Sequence, residues 1–205
     1  MKFSSVKGYL DVRHWIADLV ALVGFLFFCS QVARFGITQR SVLDEGLYLY
    51  KGLIFASGKY FPFQDYGPWT NQMPFSYLIP GALQLIFGPG LRTGRVFAFI
   101  FAGLILLGLW LTARRLGTRW LAAFVVWIIA INPAMARYYS PAVSQGLVAC
   151  LLMWTMYLVL GADRKLWQIL LGAILASLTI MVRINMLPLL PLLILYIGWQ
   201  HGLKI

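Results

Sequence analysis

The sequence predicts an all-α protein, a polytopic transmembrane helix bundle of about six spans with an outer loop that carries membrane-surface helices. The first observation is composition: 61% of the 205 residues are hydrophobic and only 11% are charged, against roughly 25% charged in soluble domains. The second is hydropathy, with a mean of +0.80. The third is that the apolar residues form separate runs, most of them near the roughly 20 residues that cross a bilayer as a helix. These features indicate an integral membrane protein.

Six apolar segments are the candidate spans. The first follows a basic N-terminal stretch and is longer than the apolar core of a signal peptide, about 7–15 residues, so an uncleaved span is expected. The third closes at Asn132-Pro133 and the sixth is broken by Pro188 and Pro191, so both are marginal in length. The candidates are Trp15–Phe35, Val96–Ala113, Trp120–Ala136, Ala142–Leu160, Leu166–Val182 and Leu187–Trp199.

The segment Pro74–Gly88 is apolar but short, and Pro80-Gly81 interrupts it. Such a segment is typical of an interfacial or re-entrant helix. If it does not span, the basic residues of the short loops collect on one side, which the positive-inside rule assigns to the cytoplasm. We therefore expect a cytoplasmic N-terminus, one transmembrane domain over residues 1–205 and one long outer loop over about residues 36–94. The inner residues are then Lys2, Lys7, Arg13, Arg114, Arg115, Arg119, Arg164, Lys165 and Lys204.

The outer loop begins with a predicted helix over residues 43–57, and Gly58 suits its end. The helix carries two adjacent acids, Asp44 and Glu45, in a chain with only six acidic residues. A purely structural interpretation is that Ser41-x-x-Asp44 forms a capping box and that Glu45 interacts with the helix dipole. At helical spacing, one face is apolar and suits the membrane surface, whereas the other is polar. The apolar face holds Leu43, Leu47, Tyr50 and Ile54, and the polar face holds Asp44, Tyr48 and Lys51.

The predicted topology leaves three acidic residues on the outer side: Asp44, Glu45 and Asp65. Asp65 precedes Tyr-Gly-Pro, which favours a turn. The surrounding aromatic segment Tyr60–Trp69 suits a sugar or lipid groove, or equally an interfacial aromatic belt. Carboxylate chemistry at the outer face therefore depends on these three residues.

Several of these short motifs, in this order, resemble the N-terminal module of GT-C membrane glycosyltransferases. The resemblance is to the bacterial branch related to dolichyl-phosphate-mannose–protein mannosyltransferases and lipid A aminoarabinose transferases. Those enzymes usually have more spans, so this chain is expected to correspond to about their first half. The motifs are Asp44-Glu45, Gly58-Lys-Tyr60, Asp65-Tyr-Gly-Pro68, Pro74…Leu85-Ile-Phe-Gly88, Arg95 and Arg114-Arg-Leu-Gly117.

The resemblance implies transfer of a sugar from a polyprenyl-phosphate carrier to an acceptor hydroxyl at the outer membrane face. Asp44 matches the family's catalytic base, which would deprotonate the hydroxyl as it attacks the anomeric carbon with inversion. Glu45 would either bind substrate hydroxyls or support Asp44 without contacting the substrate. The carrier already provides a phosphate leaving group, so no cofactor is expected, and no Cys/His spacing indicates a metal site.

Four outer arginines are candidates to bind the carrier phosphate, because the guanidinium group suits bidentate phosphate contact. Arg92 and Arg95 precede the second span, Arg137 follows the third and Arg183 follows the fifth. The alternative for each is that it only reaches to lipid headgroups.

Two other classes of function stay open at this point. A transporter or flippase fragment would need acidic residues inside its spans for ion coupling, and the middle of these spans has none. A non-catalytic membrane subunit that binds a lipid-linked sugar fits the short length, although the Asp44-Glu45 pair argues against it. The net charge of +11 is spread over the ends of apolar runs, which favours membrane lipid and not nucleic acid as the partner.

Overall fold

The computed structural model describes residues 4–61 and 73–202 of the chain. Within these residues it contains helices and no strand, so the predicted all-α class is confirmed. A short 3-10 turn, Ile184–Met186, precedes the last helix. The helices are α1 (Ser4–Thr38), α2 (Leu43–Ala56), α3 (Phe75–Phe87), α4 (Leu91–Leu116), α5 (Arg119–Ala130), α6 (Pro133–Tyr139), α7 (Ser144–Val159), α8 (Leu166–Val182) and α9 (Leu189–His201).

Two helices in the described part of the chain are long and apolar enough to cross a membrane: α1 from Trp15 onward, with 24 residues, and α4, with 26. The third predicted span is broken into α5 and α6, whose axes differ by 75°. The break has a local cause: Asn132 caps α6 by accepting a hydrogen bond from the Ala134 amide at 3.0 Å, and Pro133 occupies its first turn. Together the bent pair makes a third candidate span.

The other three predicted spans are helical but shorter. They form α7 with 16 residues, α8 with 17 and α9 with 13. The described helices thus give a helical membrane bundle with two or three candidate spans, accompanied by shorter apolar helices. The count of six spans stays a prediction.

The long helices α1 and α4 are antiparallel, which defines two ends of the bundle. At one end, here called the Asp18 end, the Asp18 carboxylate lies 3.3 Å from Nη2 of Arg114. At the other, here called the Asp44 end, Nη1 of Arg95 donates to the Gly36 carbonyl at 2.8 Å. Because the chain leaves α1 and enters α4 at the same end, the segment between them makes no net crossing. The interpretation of Pro74–Gly88 as non-spanning requires this geometry.

Helices α2 and α3 pack together at the Asp44 end. Their backbones touch where Gly52 of α2 meets Gly81 of α3, and a Cβ atom at either position would collide with the other helix. Gln84 reinforces the pairing, since its Nε2 donates to the Leu49 carbonyl at 2.8 Å and its Oε1 accepts from the Gly90 amide at 3.1 Å. The glycines therefore make a close helix–helix crossing possible.

The two faces of α2 have different surroundings. Tyr48 and Lys51, from the predicted polar face, are buried: Lys51 lies over the Tyr77 ring of α3, and the Tyr48 hydroxyl accepts a hydrogen bond from Ser144 of α7. Leu43 and Tyr50, from the predicted apolar face, point away from the protein and are 89% and 63% exposed. The polar side of α2 therefore packs on protein, whereas its apolar side is partly open, as the predicted contact with the membrane surface requires.

The main apolar core lies between α1, α4, α5 and α6. Small residues let these helices approach, and larger ones fill the space between them. This packing holds the ends of α1 and α4 in register at the Asp44 end. Its buried members are Phe28, Val32, Ala102, Leu106, Val126, Ala130 and Ala136.

Candidate functional site

The centre of the Asp44 end is an ion pair between Glu45 of α2 and Arg95 of α4. It is bidentate: Nε of Arg95 lies 2.9 Å from Oε1 of Glu45, and Nη2 lies 2.9 Å from Oε2. The Glu45 side chain is fully buried and that of Arg95 is 10% exposed. The amide of Ala142, in the α6–α7 connection, also donates to Oε1 at 2.8 Å. Glu45 is thus bound by two other parts of the chain.

Arg95 also binds the end of α1. Its Nη1 donates to the carbonyls of Gly36 and Gln39, both at 2.8 Å. The Gln39 side chain accepts a hydrogen bond from Ser140 Oγ at 3.1 Å. Four of the five N–H donors of the Arg95 guanidinium are therefore used within the chain. The pair ties together α1, α2, α4 and the α6–α7 connection.

The surroundings of Glu45 favour its ionised form. Burial raises the pKa of its carboxyl, but the hydrogen bonds from Arg95 and from the Ala142 amide, together with the charge of Arg95, outweigh burial. The pKa of Glu45 consequently lies below its usual value. A carboxylate with these partners stays charged at neutral pH.

Asp44, one residue earlier, is in a different environment. It lies in the first turn of α2 and is exposed. The predicted capping box is absent, because the residue at the N-cap is Val42 and no side chain caps the helix. The Ser41 hydroxyl donates instead to the Val42 carbonyl, at 3.4 Å. Among the described residues, no side-chain hydrogen bond or ion pair engages the Asp44 carboxylate, which leaves it open to a ligand.

A groove of about 660 Å³ runs between the end of α1 and the start of α4. Its walls are largely apolar, and two arginines lie at the Asp44 end of it. One is Arg95, already bound to Glu45, and the other is Arg92, which is exposed and forms no ion pair with any described residue. The lining residues are Val32, Ala33, Gly36, Ile37, Leu91, Arg92, Arg95, Val96 and Phe99.

The other two predicted arginines lie in different places. Arg137 is exposed near the end of α6, and its carbonyl accepts from Ser140 Oγ at 3.0 Å. Since Ser140 also bonds Gln39, Arg137 belongs to the Asp44 end. Arg183 follows α8, next to Val182, which is buried against α7 and close to α3. It is therefore held on the α3–α7 side and does not line the α1–α4 groove.

No local pattern in the sequence marks Gln39, Ser140 and Ala142 as partners of the site. Glu45 was expected either to bind substrate hydroxyls or to support Asp44, and Arg95 was a candidate for the carrier phosphate; the ion pair between them was not predicted. A signal was present on α2: Glu45 shares a helix face with Leu49 and Gly52, at spacings of four and seven residues, and all three are buried. The partner of Glu45, 50 residues away, has no local signal.

The described residues contain no group of three or more His, Cys, Asp or Glu side chains placed to hold a metal ion. Asp65 and most of the predicted aromatic groove, residues 62–69, lie outside the described residues.

Residues 71–204 match the family model of dolichyl-phosphate-mannose-protein mannosyltransferase. The matched range includes Arg92, Arg95, Arg137 and Arg183 and begins after Asp44 and Glu45. No curated protein and no solved structure matches the chain. Since the match covers more than half of the 205 residues, the chain belongs to the dolichyl-phosphate-mannose–protein mannosyltransferase family of membrane glycosyltransferases.

Proposed function

We propose that this protein transfers a sugar from a polyprenyl-phosphate carrier to an acceptor hydroxyl at the Asp44 end of the bundle. One observation carries the proposal: Glu45, the neighbour of the exposed Asp44 in α2, pairs with Arg95, which lines an apolar groove together with Arg92 at the same end of the bundle. Such a groove suits an isoprenoid chain with a phosphate at its head. Family membership supports glycosyl transfer in general. The identity of the donor and the mechanism are part of this proposal.

Asp44 acts as the general base. It accepts the proton of the acceptor hydroxyl while the hydroxyl oxygen forms a bond to the anomeric carbon. The bond between that carbon and the phosphate oxygen breaks, and the polyprenyl phosphate leaves with the electron pair. Attack from the side opposite the phosphate inverts the anomeric configuration. A positioned base of this kind contributes about 10²–10⁴-fold to the rate.

Glu45 and Arg95 position this base and do not bind the sugar themselves. The Glu45 carboxylate is fully buried, and both of its oxygens are bonded to Arg95. Asp44 is the next residue on the same helix turn, so the pair fixes where Asp44 points relative to α4. Of the two roles that the resemblance implies for Glu45, this is support of Asp44 and not contact with substrate hydroxyls.

Arg92 is the main partner of the carrier phosphate. The charge of Arg95 is balanced by Glu45, whereas Arg92 has no counter-ion among the described residues. A guanidinium at the mouth of an apolar groove makes charge-assisted hydrogen bonds to a phosphate and leaves the lipid chain on the apolar walls. Arg137 lies at the same end and completes the positive surroundings. Arg183 stays a candidate for acceptor or lipid contact on the α3–α7 side.

The proposed location is a bacterial inner membrane, with the N-terminus in the cytoplasm and the Asp44 end outside. The Asp18 end contains Arg114 and Arg119, which pair with Asp18, and also Arg115 and Arg164. This excess of positive charge is typical of the cytoplasmic side of a membrane protein. The donor and acceptor would then meet at the outer face.

Donor binding tests the proposal directly. Arg92→Gln should weaken binding of a polyprenyl-phosphate sugar to the purified protein by about 1.5–3 kcal/mol, the scale of a hydrogen bond to a charged group. Arg34→Gln is the matched control, since Arg34 is exposed near the same end but does not line the groove. Equal donor affinity in the two variants would contradict the placement of the phosphate at Arg92.

A further inference from the structure

The Asp18 end contains two arginines close to one another. Nη2 of Arg115, at the end of α4, donates to the Leu160 carbonyl at 2.6 Å, and Nη1 donates to the Tyr157 carbonyl. The Arg164 side chain folds back over Gly161, the residue after Leu160. A Cβ atom on Gly161 would lie 3.4 Å from Nε and 3.5 Å from Nη2 of Arg164. The Arg115 guanidinium therefore borders Leu160, and the Arg164 guanidinium borders the adjacent Gly161.

Gly161 makes this arrangement possible. Its φ of +114° is a conformation that residues with a side chain rarely adopt. Its amide donates to the Tyr196 hydroxyl at 2.8 Å, so α9 closes over the same loop. The hydrogen of that hydroxyl has no acceptor among the described residues and is available to a ligand.

The cluster of Arg115, Arg164 and Tyr196, here called the arginine cluster, contains two cations and no carboxylate. Nε of Arg115 and Nε of Arg164 are buried and make no hydrogen bond within the described chain. Asp163 lies next to Arg164 but is exposed and forms no ion pair with any described residue. By contrast, Arg114 and Arg119 at the same end share the Asp18 carboxylate. The two adjacent cations repel each other, and an anion bound between them would attract both and offset this repulsion.

The ligand that fits is a phosphate on a membrane lipid. Phosphate accepts hydrogen bonds from several N–H and O–H donors at once, and arginine is well shaped for it. The residues flanking the cluster are apolar and open: Leu116, Leu166 and Trp167 are each 57% exposed. Tryptophan and leucine side chains in this position contact acyl chains at the membrane boundary. A soluble anion would gain nothing from them.

We propose that the arginine cluster binds the phosphate of an anionic membrane lipid at the Asp18 end, opposite the proposed transfer site. The lipid's acyl chains would lie along the apolar residues at the start of α8. In the proposed orientation this end faces the cytoplasmic leaflet, where anionic lipids attract basic residues. The binding holds α4, the α7–α8 loop and α9 together.

Native mass spectrometry of the purified protein, with added phosphatidylglycerol or phosphatidylcholine, tests this site. Arg164→Gln is the informative variant, because the Arg164 side chain makes no hydrogen bond to any described residue, and the fold does not depend on it. We expect this variant to bind phosphatidylglycerol about tenfold or more weakly than the parent protein. Lys165→Gln removes the same charge one residue away and should weaken binding by about threefold or less. Phosphatidylcholine binding should not change.

Three results would overturn the proposal. The first is equal loss of phosphatidylglycerol binding in Arg164→Gln and Lys165→Gln, which would reduce the site to general surface charge. The second is equal binding of the two lipids by the parent protein. The third is displacement of the lipid by inorganic phosphate, which would mean that the cluster recognises free phosphate and not a lipid.

Discussion

Replacing Arg95 by alanine tests whether the Glu45–Arg95 pair organises the candidate site. The substitution removes both bonds from Arg95 to the fully buried Glu45 carboxylate, which keeps the bond from the Ala142 amide, and it removes the donors to the Gly36 and Gln39 carbonyls. Removing one partner of a buried ion pair costs about 3–5 kcal/mol, because the remaining charge stays desolvated. For a chain of this size, each kcal/mol lowers the unfolding temperature by roughly 2–4 °C. We therefore expect Arg95→Ala to lower it by about 10 °C.

The assay is thermal unfolding in detergent, with a matched control at the other end of the bundle. Arg119 also pairs with an acid, Asp18, but its side chain is 40% exposed. An exposed pair of this kind contributes about 0–1 kcal/mol, so Arg119→Ala should unfold within a few degrees of the parent protein. The double variant Glu45→Leu/Arg95→Met should recover part of the loss, because no buried charge is left alone, whereas the Gly36 and Gln39 carbonyls still lack their donors. If Arg95→Ala unfolds no earlier than Arg119→Ala, the pair does not stabilise the site.

Three further predictions concern pH, packing and topology. The pKa of Glu45 is lowered in the folded protein, so its stabilisation is complete above the usual pKa of a glutamate and is lost as the pH falls through the lowered pKa. The difference in unfolding temperature between the parent and Glu45→Gln should therefore be constant between about pH 6 and 8 and shrink as the pH falls below the usual pKa of a glutamate. A difference that grew on acidification would contradict this. Gly81→Ala forces a Cβ atom into the Gly52 backbone and should lower the free energy of unfolding by about 1–3 kcal/mol. Gly46→Ala is the control, because no atom lies within 4 Å of the added Cβ, and it should be neutral or slightly stabilising. Equal unfolding temperatures of the two variants would rule out the close crossing of α2 and α3. Reporter fusions after Gly117 and after Lys165 should report the cytoplasm and one near Gln64 the outside, and an outside signal at Gly117 would mean that Pro74–Gly88 spans the membrane.

The helical class and the order of the helices could be predicted because hydropathy and helix breakers are local signals. The apolar run that begins at Trp15 and the one that ends before Arg114 correspond to the two long helices, α1 and α4. Asn132-Pro133 lies at the bend between α5 and α6. Gly58, expected at the end of α2, adopts a φ of +69° there. These features need no knowledge of the neighbours in space.

The composition of the site could not be predicted, because it depends on contacts between distant parts of the chain. Glu45 is buried only because α4 brings Arg95 to it across 50 residues of sequence. Tyr48 and Lys51 were placed only on the polar face of α2, and their burial depends on Ser144 of α7 and on Tyr77 of α3. The alternative interpretation of Asp44 was a capping box with Ser41. The chain does not form this capping box, because Val42 and not Ser41 is the N-cap residue of α2. In each case tertiary packing decided what the local pattern left open.

The most direct test of the central claim is sugar transfer by Asp44→Asn in lipid vesicles that contain the polyprenyl-phosphate donor. Asparagine keeps the size of the side chain but cannot take the proton as a carboxylate does. We expect normal insertion, normal unfolding temperature and normal donor binding, with transfer lowered by about 100-fold or more. Asp163→Asn makes the same change at the opposite end and should transfer normally. Near-normal transfer by Asp44→Asn would contradict the assignment of Asp44 as the catalytic base.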